Sequence, residues 1–159
     1  MTILKKLFSV SIAIFLAGMA LGAGAQTSDK KVLNLDGARK IAAAAEAEAK
    51  KNNWNVVIAI LDDGGHLLHL VRMDGATPAN ARIAVEKGRT AAESRRSTLA
   101  WQERIKARPE MLNMPQITPI QGGLPITVEG TCVGGVGISG VQSHEDEQIA
   151  AAGIKALTG

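Results

Sequence analysis

Little in this chain absorbs light or reacts. It has no tyrosine, two tryptophans, two phenylalanines and a single cysteine. One cysteine excludes a disulfide framework, so the fold must stand on packing. Cys132, between Thr131 and Val133, reads as a small buried hydrophobe. With aromatics at 3 % and no basic patch interleaved with them, nucleic acid is excluded as a partner. There is no CxxC and no HExxH, which removes two common redox and zinc motifs. Ser139 lies in Gly137-Ile138-Ser139-Gly140-Val141, which breaks the Gly-x-Ser-x-Gly nucleophile elbow at its last position. Gly135 to Gly140 matches GxGxxG, but no second parallel strand with its acidic ribose partner follows before Gly159, so the dinucleotide reading is rejected.

What is present begins with a leader. Lys5 and Lys6 precede an apolar run from Leu7 to Leu21, and Ala23-Gly24-Ala25 supplies an A-x-A cleavage site. That order is a secretory signal peptide, and the run is short for a bilayer span of about 20 residues. Residues 1–25 are therefore expected to be removed, leaving 26–159 as one domain in the periplasm or outside the cell. Loss of two lysines from a chain of net charge +3 leaves it close to neutral.

Within 26–159 the periodicity predicts a helix from Leu35 to about Lys51, capped by Asn34, with Ala38, Ile41, Ala42, Ala45 and Ala49 on one face. Asn55 to Leu61 is an apolar run of strand length. Asp62-Asp63-Gly64-Gly65 is a turn, and His66 to Met73 completes a β-hairpin. Thr77-Pro78 reads as the start of a second helix reaching about Arg96, with a small-residue stripe of Ala81, Ala84, Val85, Gly88, Ala91 and Ala92. Arg82, Glu86, Arg89, Glu93 and Arg96 make a solvated ion-pair face. Ser97 to Arg108 is a third helix stopped by Pro109. Ile117–Ile120, Leu124–Val128 and Thr131–Ser139 are expected as strands, and Glu145–Leu157 as the last helix. The order α-β-β-α-α-β-β-β-α implies an α+β domain on an antiparallel sheet of about five strands flanked by helices.

The strand holding Gly134, Gly135, Gly137 and Gly140 is the most telling element. Glycine in a strand is costly, and it makes sense where another backbone, a helix or a flat ligand must come close. Chemistry-bearing residues are few. His66 and His69 are three apart on one strand, so they point to opposite faces and do not chelate together. His144 begins the last helix beside three acids that suit its dipole. Arg72 and Asp74, two apart at a strand end, are placed to pair or to clamp a carboxylate. Lys87 lies off both the apolar stripe and the charged face, at a pocket rim or as a snorkelling surface lysine.

Five ordered blocks carry a resemblance: Asp62-Asp63-Gly64-Gly65-His66-Leu67-Leu68, Arg72-Met73-Asp74-Gly75-Ala76, Ala84 to Ala92, Gln121-Gly122-Gly123-Leu124-Pro125-Ile126, and Gly134 to Gly140 followed by Asp146 to Ala150. In these the chain resembles the GlcG/HbpS family, related to the PduO C-terminal domain, from about Val32 to Leu157. The resemblance implies a five-stranded antiparallel sheet, homo-oligomers, and binding of haem, with a corrinoid as the alternative. Within those motifs the candidates for a tetrapyrrole site, by residue type, are His66 as iron ligand, Arg72 and Lys87 as cations for the propionates, Asp74 to orient Arg72, and Gly122 and Gly123. Haem storage, scavenging or delivery is the leading reading. Haem degradation or action on a small carboxylate at Arg72/Asp74 is the second, and a cofactor-free accessory protein the third. Ser97 stands where the family commonly has proline, and no Glu-x-x-Glu pair for surface iron is present.

Overall fold

A computed structural model describes residues 26–158, so the leader lies outside the described residues. Contacts divide the chain at Lys30/Lys31, and the unit from Lys31 onward carries all the regular structure of the described residues. Its elements are α1 (Leu35–Lys51), β1 (Val57–Asp62), β2 (Leu67–Arg72), α2 (Ala79–Ser94), α3 (Thr98–Ala107), a 3₁₀ turn (Pro109–Asn113), β3 (Gly123–Val128), β4 (Thr131–Ser139) and α4 (Ser143–Thr158). The sheet is antiparallel throughout, in the order β2-β1-β4-β3.

β1 is central, and its alternation sorts the core into two layers. Ile58 and Ile60 join Val136 and Ile138 of β4 against Ile41 and Ala45 of α1 and Ile149 of α4. Val57, Ala59 and Leu61 face the other way, against Ala84 of α2. α1 and α4 thus cover one face and α2 the other, which is why β1 reads as unbroken hydrophobicity. The Asn34 cap forms as expected, its side-chain oxygen accepting from Gly37 N at 2.8 Å. Gly153 lets α4 approach α1 closely, for a Cβ there would lie 2.9 Å from Ile41 O. Thr77 does not cap α2 through its side chain; Pro78 precedes the first helical residue and only Thr77 O is used, by Asn80 N.

The sheet has four strands, because Ile117–Ile120 does not pair with a neighbour. Pro115 precedes that segment and Pro119 interrupts it, and neither offers an N–H to a ladder. Gln116 has a positive φ of 61°, and the stretch through Gln121 is tied to α2 and α3 instead. Thr118 N donates to Thr90 Oγ1 at 2.9 Å, and Gln121 N donates to Gln102 Oε1 at 3.2 Å. Ser97 serves the turn between α2 and α3 as an N-cap, accepting from Ala100 N at 3.1 Å. Next to it Thr98 Oγ1 accepts from Gly123 N at 2.8 Å and fixes the start of β3.

Candidate functional site

The glycine strand is occupied by the protein's own helix. α2 lies so close to β4 that a Cβ on Gly137 would overlap Ala84 O and Gly88 N, and one on Gly135 would overlap Gly88 O. Gly135 and Gly137 packed on Ala84, Gly88 and Ala92 fill the bare face that a flat ligand would have needed. Of the three partners that a glycine strand admits, the helix is found at Gly135 and Gly137, and another backbone at Gly134 and Gly140, where a Cβ would meet Leu61 O and Asn55 O. A bulge at Val133, between the pairs Ile126↔Gly134 and Thr127↔Cys132, shifts the register, and Cys132 Sγ turns towards Ala92 O of α2.

Lys87 is neither at a pocket rim nor on the surface. It is 2 % exposed, with Nζ donating to Asp146 Oδ2 at 2.8 Å and to Ile138 O at 2.9 Å. The helical face it shares with Thr90 is covered by residues 116–123. Asp146 Oδ1 also accepts from Val141 N at 3.3 Å. Burial pushes the Asp146 carboxyl above the usual aspartate range, against the lowering pull of Lys87 and the backbone donors. Gly122 and Gly123 make room for this pair. Gly122 has φ 121°, and a Cβ there would sit 2.8 Å from Lys87 Nζ. The pair therefore locks α2, the end of β4, the start of α4 and the turn before β3 to one another.

His66 lies in the turn before β2 rather than on it. Asp62 Oδ1 accepts from Gly64 N at 2.9 Å and from His66 N at 2.8 Å, leaving the exposed imidazole outside the ladder. The bulge at Leu68, between Ile60↔His69 and Leu61↔Leu67, breaks the strict alternation assumed for His66 and His69. At about 3.3 Å per residue the length of β2 puts His66 and Arg72 roughly 20 Å apart. They belong to opposite ends of the sheet. Arg72 and Asp74 form no ion pair with each other among the described residues. Asp74 lines a polar hollow of about 280 Å³ with Glu46, Lys50, Asn55 and Met73. His144 is exposed at the start of α4, and the described residues contain no cluster of three or more metal-ligating side chains.

A second cavity, about 630 Å³, lies elsewhere. Val32, Leu33, Val128, Val133 and Leu157 give it an apolar lining, and Lys31, Asn34 and Glu129 add polar groups. Residues 31–34 run in ahead of α1, the β3–β4 hairpin supplies Val128 to Val133, and the end of α4 supplies Leu157. Lys31 and Glu129 are ion-paired, both more than half exposed, and Lys31 holds the Glu129 carboxyl below the usual range. Glu129 and Gly130 at the hairpin tip both have positive φ, 49° and 79°. None of the candidate site residues singled out from the sequence lines this cavity. No motif marks it, because it forms where the two ends of the domain meet.

These features define a helix-covered antiparallel sheet whose central helix is sealed to a glycine strand. The chain belongs to the HbpS-like family: the family model described as "Haem degrading protein HbpS-like" matches residues 33–155. The chain is 46 % identical over 111 residues to Protein GlcG of Escherichia coli, a match covering 69 % of this chain and 83 % of that protein. A double mutant of HbpS from Streptomyces reticuli superposes with a TM-score of 0.78 at 31 % identity, covering 86 % of this chain and 94 % of that one. The PduOC:Heme complex shares the fold at a TM-score of 0.73 and 24 % identity, over 79 % and 95 % of the two chains.

Proposed function

We propose that this chain is an exported haem-binding protein, acting as a homo-oligomer in haem storage, scavenging or delivery. Membership of a family described by its haem chemistry carries the reading. The basic, apolar and A-x-A order of residues 5–25 supports export, and no helix among the described residues is long and apolar enough to cross a membrane.

A haem needs an apolar slot, a cation for its propionates and usually an axial side chain such as His, Met, Cys or Tyr. The 630 Å³ cavity falls within the range of about 300–1,000 Å³ typical of small-molecule sites. Its valines and leucines exclude water from a macrocycle, and Lys31 is placed for a carboxylate. The axial side chain is the part it does not supply. Bound haem would bring the iron's ligand and redox chemistry; the residues here hold and shield.

Titration of the purified protein with hemin is expected to give a saturable, red-shifted Soret band at fixed stoichiometry. His66→Ala is expected to keep that band, since His66 stands in an exposed turn away from the cavity. A linear, unsaturable response from the wild type would overturn the proposal. The family description also favours a second reading, turnover, for which loss of the band under a reductant with oxygen is the expected sign.

A further inference from the structure

We propose that the stretch from Arg95 to Ile120, α3 and the loop after it, is a docking surface for an anionic phospholipid membrane. Three of the six large apolar side chains exposed among the described residues lie here: Leu112 (65 %), Met114 (41 %) and Ile120 (46 %). A single exposed apolar residue is ordinary, but a cluster of them marks a contact site. The backbone holds them out from the body of the domain. The 3₁₀ turn Pro109–Asn113 contains no buried residue, and from Pro109 to Gln116 only Met111 is half-buried rather than exposed. Arg108 N donates to Arg104 O at 3.0 Å where the loop leaves α3, and Thr118 N donates to Thr90 Oγ1 at 2.9 Å where it returns. Gln121 N then reaches Gln102 Oε1 at 3.2 Å, which sets Ile120 beside α3.

The charge beside these side chains is mostly of one sign. From Arg95 to Arg108 there are five bases, Arg95, Arg96, Arg104, Lys106 and Arg108, all exposed, against one acid, Glu103. The chain without its leader is close to neutral, so this stretch concentrates its positive charge. Lys106 pairs with Glu103 at 2.7 Å and Arg108 with Glu110 at 3.0 Å, and all four side chains are more than half exposed. Such pairs exchange a carboxylate for a phosphate at little cost. A second copy docked here about a two-fold axis would set these bases against themselves. A membrane of negative charge attracts them, at about fivefold in affinity per base. Leu112, Met114 and Ile120 then enter the boundary between headgroups and acyl chains. Contact of this kind lies on a membrane and needs no spanning helix.

The test uses residues 26–159, which hold every described element of the fold, so that the apolar leader does not carry the binding. Co-sedimentation is measured with vesicles of phosphatidylcholine, alone or with about 30 % phosphatidylglycerol, in dilute and in concentrated salt. Wild type is expected to bind the anionic vesicles about tenfold or more tightly than the neutral ones, and to lose that preference in concentrated salt. The double variant Lys106→Glu, Arg108→Glu is expected to weaken anionic binding by more than about tenfold and leave neutral binding unchanged. Leu112→Asp is expected to weaken both, because it removes an apolar anchor. The altered side chains are exposed, so unchanged circular dichroism is the expected control. Sedimentation with neither vesicle, equal binding of the two, or full binding by Leu112→Asp would overturn the proposal. A fall in particle mass by light scattering on Leu112→Asp would also overturn it, assigning the loop to a second copy.

Discussion

Lys87→Met is expected to destabilise the domain by about 3–5 kcal/mol, as does loss of one partner from other buried ion pairs. The variant strands the Asp146 carboxyl where only Val141 and Gly140 backbone donors remain to it. It also leaves Ile138 O without its lysine donor. Adding Asp146→Leu is expected to return much of the loss, because an apolar pair removes both desolvation costs. Thermal unfolding of the three proteins measures this directly. If Lys87→Met unfolds at the wild-type temperature, the pair is not the lock described here. The same pair predicts a pH dependence. The folded state holds Asp146 above its ordinary range, so the folded chain binds that proton more tightly than the unfolded chain. Wild-type stability relative to Asp146→Asn should therefore fall as pH climbs from about 4 through the raised value, then level off. A relative stability that rises over that interval would contradict the assignment.

Gly137→Ala is expected to cost about 3 kcal/mol or more, at or beyond the upper end of ordinary overpacking. The added methyl meets backbone atoms of α2, Ala84 O and Gly88 N. A backbone carbonyl cannot turn aside as a side-chain end can, so the whole helix must lift from the sheet. Gly130→Ala is the control. It has φ 79° but nothing within 4 Å, so its cost is conformational alone, about 1–2 kcal/mol. Denaturant unfolding of the two variants separates contact from conformation. Equal losses would mean that α2 does not bear on β4 as described.

These two sites also show what the sequence made legible. The glycine spacing of β4 announced a close approach, and the small stripe of α2 was visible beside it. That the two fit each other is tertiary information; residues 84–92 and 134–137 are joined only by the fold. Lys87 was misread because helical periodicity assigns faces relative to one partner layer, whereas α2 is covered on a second side by residues 116–123. Ile117–Ile120 has strand composition, but Pro119 within it removes a ladder donor and the Thr90 hydroxyl takes the Thr118 N–H. The Asp62–Gly65 turn and the Asn34 cap were legible because both are local, made within four residues of their own chain. The cavity was not legible at all. Lys31, Glu129 and Leu157 share no spacing, and only the closing of the domain's ends brings them together.

The central claim is that this domain holds haem without opening the glycine strand, which α2 already covers. The most direct measurement is a crystal structure of the protein with hemin bound. The account predicts macrocycle density outside the α2–β4 contact, with α2 still seated on Gly135 and Gly137. Density coordinated by His66, or inserted between α2 and β4, would contradict it.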